Sequence, residues 1–308
     1  MAICMTRCRI LLLLLSVLLP LLALLPLPLS PTADPAETEQ WMAALPDDTP
    51  LTALTIPGTH DTGALYSIAD IAGKCQTLSV TDQLAVGVRF LDIRLQAVGD
   101  TLRVVHDFVD QKTDFASILS DITAFLSEHP TEFLLMSVKQ DAAPKGTAVP
   151  FAELLETALQ TRCGTLLDPS DTLPETLGAA RGKLFILSRY DGASLGLPCA
   201  DGWEDNAAFT LGGLYVQDRY AIADADEKIG AIADALTLAA DSPHALVLNY
   251  TSCYYTSGIP PLYAGRPAHD IHPWLTDVLR AHSGAAGVVI CDFMTAALAR
   301  TILEVNFQ

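Results

Sequence analysis

The chain has 308 residues, half of them apolar, and carries a formal net charge of −18. This length is enough for one large hydrophobic core. Lysine and arginine form no basic run, which argues against nucleic-acid binding and against strong electrostatic attachment to an anionic bilayer. Any contact with a membrane must therefore use apolar side chains or a neutral lipid face.

The first 33 residues differ in character from the rest of the chain. A basic start at Arg7 and Arg9, a long leucine-rich centre and a small-residue exit are typical of a secretory signal peptide. An uncleaved membrane anchor is the alternative, since the apolar stretch approaches the length of a span. Three prolines in this stretch argue against a stable spanning helix. We therefore predict a signal peptide over residues 1–33, a secreted or extracytoplasmic protein, and one catalytic barrel over residues 34–308.

Five cysteines remain after residue 33, and none of them forms a C-x-x-C pair. This spacing argues against a zinc-finger or a thioredoxin-like site. In an oxidising compartment up to two disulfides could form, and the sequence does not fix their pairing. Cys291 lies in an apolar run, which favours a buried core position.

Short apolar runs, most of them followed by charged residues, predict the strands. They cover residues 51–55, 88–95, 102–105, 133–138, 184–187, 214–216, 245–248 and 287–290, and Pro57 and Gly58 are expected to end the first. Helices are predicted at residues 113–129, 150–160, 224–240 and 272–282. Continuously apolar strands are typical of parallel sheets buried on both faces. The pattern predicts an α/β fold, specifically an irregular (β/α)8 TIM barrel.

Chemically active side chains gather at the C-terminal ends of these predicted strands. They are His60, Asp61, Asp92, Arg94, His106, Lys139, Arg189, Asp218, Tyr220 and Asp292. In a parallel barrel such positions converge on one mouth, where catalytic residues lie. We therefore expect one site that contains two imidazoles, a guanidinium and several carboxylates.

This set of groups suits metal-free cleavage of a phosphodiester. A neutral imidazole removes a proton from the attacking hydroxyl, and a protonated one donates to the leaving oxygen. Carboxylates fix the tautomer and tune the pKa of each imidazole. Arg94 would bind the phosphate oxygens, and Asp92, on the same strand face, would hold the guanidinium.

Other interpretations apply to single members of the set. One histidine after a strand is more often structural than catalytic, and the remaining five histidines are interpreted in that way. Lys139 and Arg189 could form ordinary ion pairs at the rim, and Asp292 could cap a helix. A metal site built from His60, Asp61, Asp92 and His106 is conceivable. Arg94 would place a fixed positive charge there, so we expect no metal cofactor.

Eight motifs in order carry a resemblance to a known family. They are IPGTHDTG, RFLDIRL, LRVVHDF, EFLLMSVKQD, GKLFILSRYDG, YVQDRY, LNYTS and VVICDF. Together they resemble the X domain of phosphatidylinositol-specific phospholipase C, above all the single-domain, metal-independent bacterial enzymes. The resemblance runs from about residue 50 to the C-terminus. It implies a barrel of the phospholipase-C-like phosphodiesterase type and the activity of a phosphatidylinositol diacylglycerol-lyase, which releases diacylglycerol and inositol 1,2-cyclic phosphate.

The resemblance also implies a role for each site residue. It implies that His60 is the general base, with Asp292 as its carboxylate partner. It implies that His106 is the general acid, supported by Asp61. It implies that Arg94 binds the phosphate, with Asp92 as its neighbour. It assigns four residues to the inositol pocket: Lys139, Arg189, Asp218 and Tyr220.

The expected partner is phosphatidylinositol in a membrane, reached by transient contact of a monomer. The rim segments of the bacterial relatives carry tryptophan, whereas residues 65–81 and 252–269 here carry none. A weaker aromatic and aliphatic rim is expected instead, formed by Tyr254, Tyr255, Ile259, Leu262 and Tyr263. Two alternatives remain. One is a catalytically silent X domain that binds inositol lipids, and the other is a metal-dependent barrel glycerophosphodiesterase.

Overall fold

A largely parallel β-sheet, curled into an open barrel, forms the centre of the computed structural model. The structure describes residues 38–68, 72–241, 244–257 and 264–308, and the predicted signal peptide lies outside them. The described residues belong to one compact unit, Glu37–Gln308.

The strands and helices of the described residues follow in chain order. The strands are β1 (Thr55–Thr59), β2 (Phe90–Val98), β3 (Thr101–His106), β4 (Val109–Asp114), β5 (Leu134–Gln140), β6 (Leu167–Asp168), β7 (Leu184–Arg189), β8 (Leu197–Pro198), β9 (Ala208–Leu211), β10 (Leu214–Gln217), β11 (Ala221–Ile222), β12 (Leu246–Tyr250), β13 (Tyr254–Tyr255) and β14 (Gly287–Cys291). The helices are α1 (Val80–Ala85), α2 (Phe115–Glu128), α3 (Phe151–Cys163), α4 (Leu177–Ala180), α5 (Ala225–Asp241), α6 (Gly265–Arg280) and α7 (Ala296–Glu304).

The main sheet has the order β6-β7-β5-β2-β1-β14-β12-β10-β9. From β6 to β10 every neighbouring pair is parallel, whereas β9 runs antiparallel to β10. In the described part of the chain no ladder joins β7 to β10, so the barrel is open between them. The predicted α/β barrel is therefore confirmed in an irregular form.

Alternate side chains of the parallel strands enter two different cores. The outward set, with Leu91, Met136 and Val289, packs against the helices. The inward set, with Phe90 and Ile290, fills the barrel. Both faces are buried, which explains why the strands read as continuous apolar runs.

The first strand was predicted in the wrong place. Leu51–Ala53 forms a 3-10 turn, and β1 begins at Thr55 and continues through Pro57 and Gly58. The carbonyl of Pro57 accepts a hydrogen bond from the Arg89 N–H at 2.9 Å, so proline still joins the ladder as an acceptor. A Cβ at Gly58 would approach Phe90 to 3.0 Å. The close packing of the barrel therefore requires a glycine here.

The predicted third barrel strand is one arm of a hairpin. β3 pairs antiparallel with β2 and with β4, and β4 was not predicted. β2 is long and extends past the mouth, and β3 returns alongside it, with Leu95 opposite Val104. Two residues further on, His106 is back near the level of Arg94. The hairpin therefore brings His106 to the mouth although β3 is not a parallel strand.

The predicted helices at residues 113–129, 150–160 and 224–240 are confirmed as α2, α3 and α5. α6 begins seven residues earlier than expected, at Gly265, and it continues through Pro273. α1 and α7 were missed because both are short.

No helix in the described residues has the length and apolarity required to cross a bilayer. All five cysteines after residue 33 are buried free thiols, Cys291 among them.

Candidate active site

A cavity of about 630 Å³ opens at the C-terminal ends of the parallel strands. Eight of the ten predicted site residues line it: His60, Arg94, His106, Lys139, Arg189, Asp218, Tyr220 and Asp292. The other two, Asp61 and Asp92, are completely buried and contact residues of the cavity wall. The structure therefore brings all ten predicted residues into one site.

His60 is the first residue after β1, and backbone contacts fix its position. Its N–H donates to the Cys291 carbonyl at 3.0 Å, and its own carbonyl accepts from Gln76 Nε2 at 2.8 Å. Its Nδ1 lies 2.7 Å from Asp292 Oδ1, and its Nε2 lies 2.9 Å from Arg94 Nη2. Because a guanidinium only donates, Nε2 must accept, and we assign the proton to Nδ1, which donates to Asp292.

The charges around His60 act on its pKa in opposite directions. Burial lowers the pKa, Asp292 raises it, and Arg94 lowers it. The balance lies above the ordinary value of 6.5. The carboxylate of Asp292 therefore favours the protonated imidazole despite its burial.

Asp61 follows His60 directly but serves the other imidazole. Its backbone has φ 46°, in the left-handed region, which turns its side chain away from that of His60. Its Oδ2 lies 2.5 Å from Nδ1 of His106. Burial lowers the pKa of His106, but the adjacent Asp61 outweighs it and raises the pKa to about 9. His106 is thus an imidazolium at neutral pH.

Arg94 lies between the two imidazole–carboxylate pairs. Besides its contact with His60, its Nε lies 3.5 Å from Asp61 Oδ2 and 3.4 Å from Asp92 Oδ2. Burial opposes its charge, but the surrounding carboxylates raise the pKa of Arg94 well above its ordinary value. The side chain is 16 % exposed, so a fixed positive charge faces the cavity.

Asp92 is buried beneath the cavity wall and contacts both arginines of the site, Arg94 and Arg189. Its Oδ2 contacts Arg94, and its Oδ1 lies 3.7 Å from Arg189 Nη1. It also accepts the backbone N–H of Asp61 at 3.2 Å. Burial raises the pKa of Asp92, but the two guanidiniums overcome that effect and lower it below its usual value. One buried carboxylate therefore positions two cations.

Asp141 belongs to the site and was not predicted. Its Oδ1 lies 2.9 Å from Lys139 Nζ and 3.9 Å from Arg94 Nη1, and its Oδ2 accepts the Asp107 N–H at 3.0 Å. Burial raises its pKa, but Arg94 and Lys139 lower it to about 2. The spacing K-Q-D placed it on the same strand face as Lys139, which was the signal available in the sequence.

Trp203 is the second residue that the sequence did not reveal. Its ring lies 3.6 Å from the Arg189 guanidinium carbon, and its Nε1–H donates to Asp218 Oδ2 at 3.0 Å. Arg189 Nη2 is 3.9 Å from the same Asp218 oxygen. The tryptophan therefore orders an arginine and a carboxylate at once. It lies on a loop without periodicity, so no sequence pattern indicated it.

Tyr220 lies at the outer wall of the cavity. Its hydroxyl donates to Asp205 Oδ1 at 2.6 Å, and this hydrogen bond raises the pKa of Tyr220 to about 12. Its ring lies 5.9 Å from the ring of Tyr254. This places an aromatic face beside a group of carboxylates, an arrangement suited to a polyol ring.

The sequence matches a known protein family and known proteins. The family model described as "Phosphatidylinositol-specific phospholipase C, X domain" matches residues 48–190. A 1-phosphatidylinositol phosphodiesterase of Staphylococcus aureus (strain Newman) is 30% identical over 223 residues, which cover 65% of this chain and 70% of the relative. The chain belongs to the phosphatidylinositol-specific phospholipase C X-domain family.

The likeness of this X-domain protein to bacterial relatives extends past the matched segment. A 1-phosphatidylinositol phosphodiesterase of Listeria monocytogenes is 27% identical over 286 residues, 90% of this chain and 87% of the relative. The solved structure of a variant phosphatidylinositol-specific phospholipase C from S. aureus aligns with a TM-score of 0.77 at 25% identity, covering 86% of this chain and 97% of that chain. The resemblance predicted from the motifs is confirmed.

Two groups of side chains in the described part of this X domain could hold a metal ion. One is His60, Cys75 and Asp292, and the other is Asp61, Cys75 and His106. In each group the ligand atoms lie within 4.8 Å of one another. Arg94 contacts His60 and Asp61, so a hard cation with oxygen ligands would meet its charge. Both groups share a thiol, which favours a softer metal.

Proposed function

We propose that this protein is a metal-independent phosphatidylinositol-specific phospholipase C, a phosphatidylinositol diacylglycerol-lyase. It would cleave phosphatidylinositol into diacylglycerol and inositol 1,2-cyclic phosphate. The observation that carries the proposal is the pair of imidazole–carboxylate couples, His60–Asp292 and Asp61–His106, on either side of Arg94 in one cavity. The relatives from L. monocytogenes and S. aureus are named as 1-phosphatidylinositol phosphodiesterases, which supports the substrate class.

His60 would act as the general base on the inositol 2-hydroxyl. Its Nδ1–H is committed to Asp292, so only Nε2 can accept a proton from the substrate. In the absence of substrate, Arg94 donates a hydrogen bond to Nε2. A phosphate that draws the guanidinium onto its own oxygens would release Nε2, so binding itself would prepare the base.

His106 would act as the general acid on the diacylglycerol oxygen. Its raised pKa keeps it protonated, and Asp61 holds Nδ1, which leaves Nε2–H to face the leaving group. Both proton transfers would thus use Nε2 atoms whose imidazoles are oriented by carboxylates.

Arg94 would bind the phosphate and stabilise the charge that develops in the transition state. Asp92 and Asp141 would fix the guanidinium. Arg189, Asp218 and Tyr220 would form the inositol pocket together with Lys139. Holding the 2-hydroxyl in line with the phosphorus supplies much of the rate through proximity.

The deciding experiment follows cleavage of phosphatidylinositol vesicles in EDTA by phosphorus NMR, beside His60→Ala and His106→Ala. Cyclic inositol phosphate from the parent and none from either variant is the expected result. Activity that disappears with EDTA would instead indicate a metal-dependent phosphodiesterase. Lipid binding without any turnover would indicate a silent X domain.

We also propose that residues 1–33 are removed on secretion and that residues 34–308 act as one monomeric catalytic unit. The basic start and apolar centre of the N-terminal segment support this. N-terminal sequencing of protein from the culture medium tests it, and light scattering tests the monomer. A mature chain that retains Met1 would contradict the cleavage.

A further inference from the structure

A single thiol lies between the two imidazole–carboxylate pairs. Cys75 is 1% exposed but lines the cavity. Its Sγ lies 3.5 Å from Nδ1 of His106 and within 4.8 Å of a carboxylate oxygen of Asp292. Its backbone is fixed on both sides, because its N–H donates to Ala64 at 2.9 Å and its carbonyl accepts from Phe293 at 2.6 Å. The position of Sγ is therefore set by the fold.

We propose that Cys75, His106 and Asp61 form a binding site for Zn²⁺ or a similar thiophilic divalent cation. Thiolate, imidazole and carboxylate are the three ligand types that zinc takes in proteins. Three protein ligands leave one coordination position open to the cavity. Asp61 is completely buried, so this group differs from the exposed acidic clusters that are common at surfaces.

The distance between the sulfur and nitrogen ligands already suits zinc. Tetrahedral bonds of about 2.3 Å to sulfur and about 2.0 Å to nitrogen place the two ligand atoms about 3.5 Å apart. The Cys75 Sγ to His106 Nδ1 distance is 3.5 Å. The His106–Asp61 contact of 2.5 Å would open to about 3.3 Å, as expected when a metal replaces a shared proton.

The charge balance answers the objection raised by Arg94. Zinc would displace the thiol proton of Cys75 and the Nδ1 proton of the His106 imidazolium, and both protons leave to solvent. The cation brings two positive charges and two are lost, so the net charge near Arg94 does not change. A hard cation that bound carboxylates without releasing protons would lack this compensation.

Zinc at this site would inhibit the enzyme, and this consequence rests on the proposed function. Nδ1 of His106 would bind the metal and would no longer donate a hydrogen bond to Asp61. The imidazolium would thereby become a neutral ligand. The general acid would be lost while His60 and Arg94 remained in place. Binding itself does not depend on the reaction, so it can be tested separately.

The test titrates the full mature protein with Co²⁺, a spectroscopic substitute for zinc, and records the near-ultraviolet thiolate-to-cobalt band. We expect the band in the parent and in Cys253→Ser, and its loss in Cys75→Ser. Cys253 is the matched control because it is also a buried thiol that lines the cavity. No band in the parent, or the same band in Cys75→Ser, would overturn the proposal.

A second measurement needs no variant of Cys75. In the parent protein, Zn²⁺ should slow alkylation of Cys75 at least tenfold, measured on its peptide by mass spectrometry, with Cys253 as the internal reference. Equal protection of both thiols, or of neither, would count against the site. If Zn²⁺ protects Cys75 in a protein that does not cleave phosphatidylinositol, the metal site stands and the proposed function fails.

Discussion

Oδ2 of Asp61 lies 2.5 Å from Nδ1 of His106, although Asp61 is the chain neighbour of His60. The left-handed backbone at Asp61 sends two successive side chains to opposite sides of Arg94. His60 then takes its carboxylate from Asp292, at the far end of the chain. One turn after one strand therefore supplies one imidazole and the carboxylate that contacts the other.

Asp61→Asn should lower kcat about 10²-fold to 10³-fold, because the acid loses the charge that keeps it protonated. Asparagine tolerates the left-handed backbone, so the fold should survive. The pKa of His106 should fall from about 9 towards 6.5, observed by NMR titration. Asp107→Asn is the matched control, since that exposed carboxylate lies 3.8 Å from Nε2 of His106. An unchanged His106 pKa in Asp61→Asn would contradict this assignment.

The pH profile of kcat/KM should be bell-shaped. Activity should rise with pH as His60 loses its proton, at a pKa above 6.5, and fall as His106 loses its own at about 9. The optimum should therefore lie between the two values. Rates on a soluble substrate across this range check the prediction. An acidic limb far below 6.5 would argue that His60 is not the base.

Arg94→Lys should reduce kcat/KM about 10²-fold to 10³-fold although the charge is kept. An ammonium cannot reproduce a planar group that contacts His60, Asp61 and Asp92 at once. Arg103→Lys, at a partly exposed ion pair with Asp110, should change activity by no more than about twofold. Steady-state kinetics of both variants decide the matter, and a mild effect at Arg94 would remove it from the phosphate site.

Trp203→Phe should raise KM for inositol 1,2-cyclic phosphate about threefold to tenfold, with a smaller effect on kcat. Phenylalanine keeps a ring against Arg189 but loses the N–H that Asp218 accepts. Trp203→Ala should raise KM further, because the stacking on Arg189 is lost as well. Trp274→Phe, on α6, serves as the control. A purely kcat effect would show that Trp203 does not shape the pocket.

Phe108→Ser should weaken binding to phosphatidylinositol vesicles about tenfold or more, since burying one aromatic ring contributes about 2 kcal/mol. Phe108 is 78% exposed in the turn between β3 and β4, beside the cavity. Of the predicted rim, Tyr254 and Tyr255 are partly buried, and Ile259, Leu262 and Tyr263 lie outside the described residues. Phe307→Ser, at the C-terminus, is the control in vesicle sedimentation. Unchanged binding would exclude the hairpin from the interface.

The parallel strands could be predicted because burial on both faces leaves long apolar runs. The strand predictions failed at β1, where tertiary packing outweighed residues that usually end strands, and at the β2–β3 hairpin, whose turn residues were not recognised. Pro57 and Gly58 are usual strand breakers, yet the barrel uses one for its carbonyl and the other for its lack of a side chain. Gly99 and Asp100 were the turn signal for the β2–β3 hairpin, which the eight-strand interpretation passed over.

The site was predictable to the extent that its residues end strands. The C-terminal ends of parallel strands converge by geometry, which brings most of the ten residues together, whereas His106 reaches the site through the antiparallel hairpin of β3. Asp141 had a signal in its two-residue spacing from Lys139. Trp203 had none, because its contact with Arg189 depends on how a loop folds back across the cavity. The pairing of each imidazole with its carboxylate was available only from the family resemblance, because it depends on the backbone angle at Asp61, which no composition rule gives.

The opening between β7 and β10 has a consequence for how the pocket responds to its ligand. No sheet hydrogen bond crosses it in the described residues, and Arg189 reaches Asp218 there at 3.9 Å and stacks on Trp203. Such contacts can be exchanged for contacts to a ligand while every strand stays folded. A polyol held by Arg189 and Asp218 would link the C-terminal ends of β7 and β10. Slower amide hydrogen exchange in both strands on adding inositol would reveal it. The substrate would then complete the barrel wall that the chain leaves open.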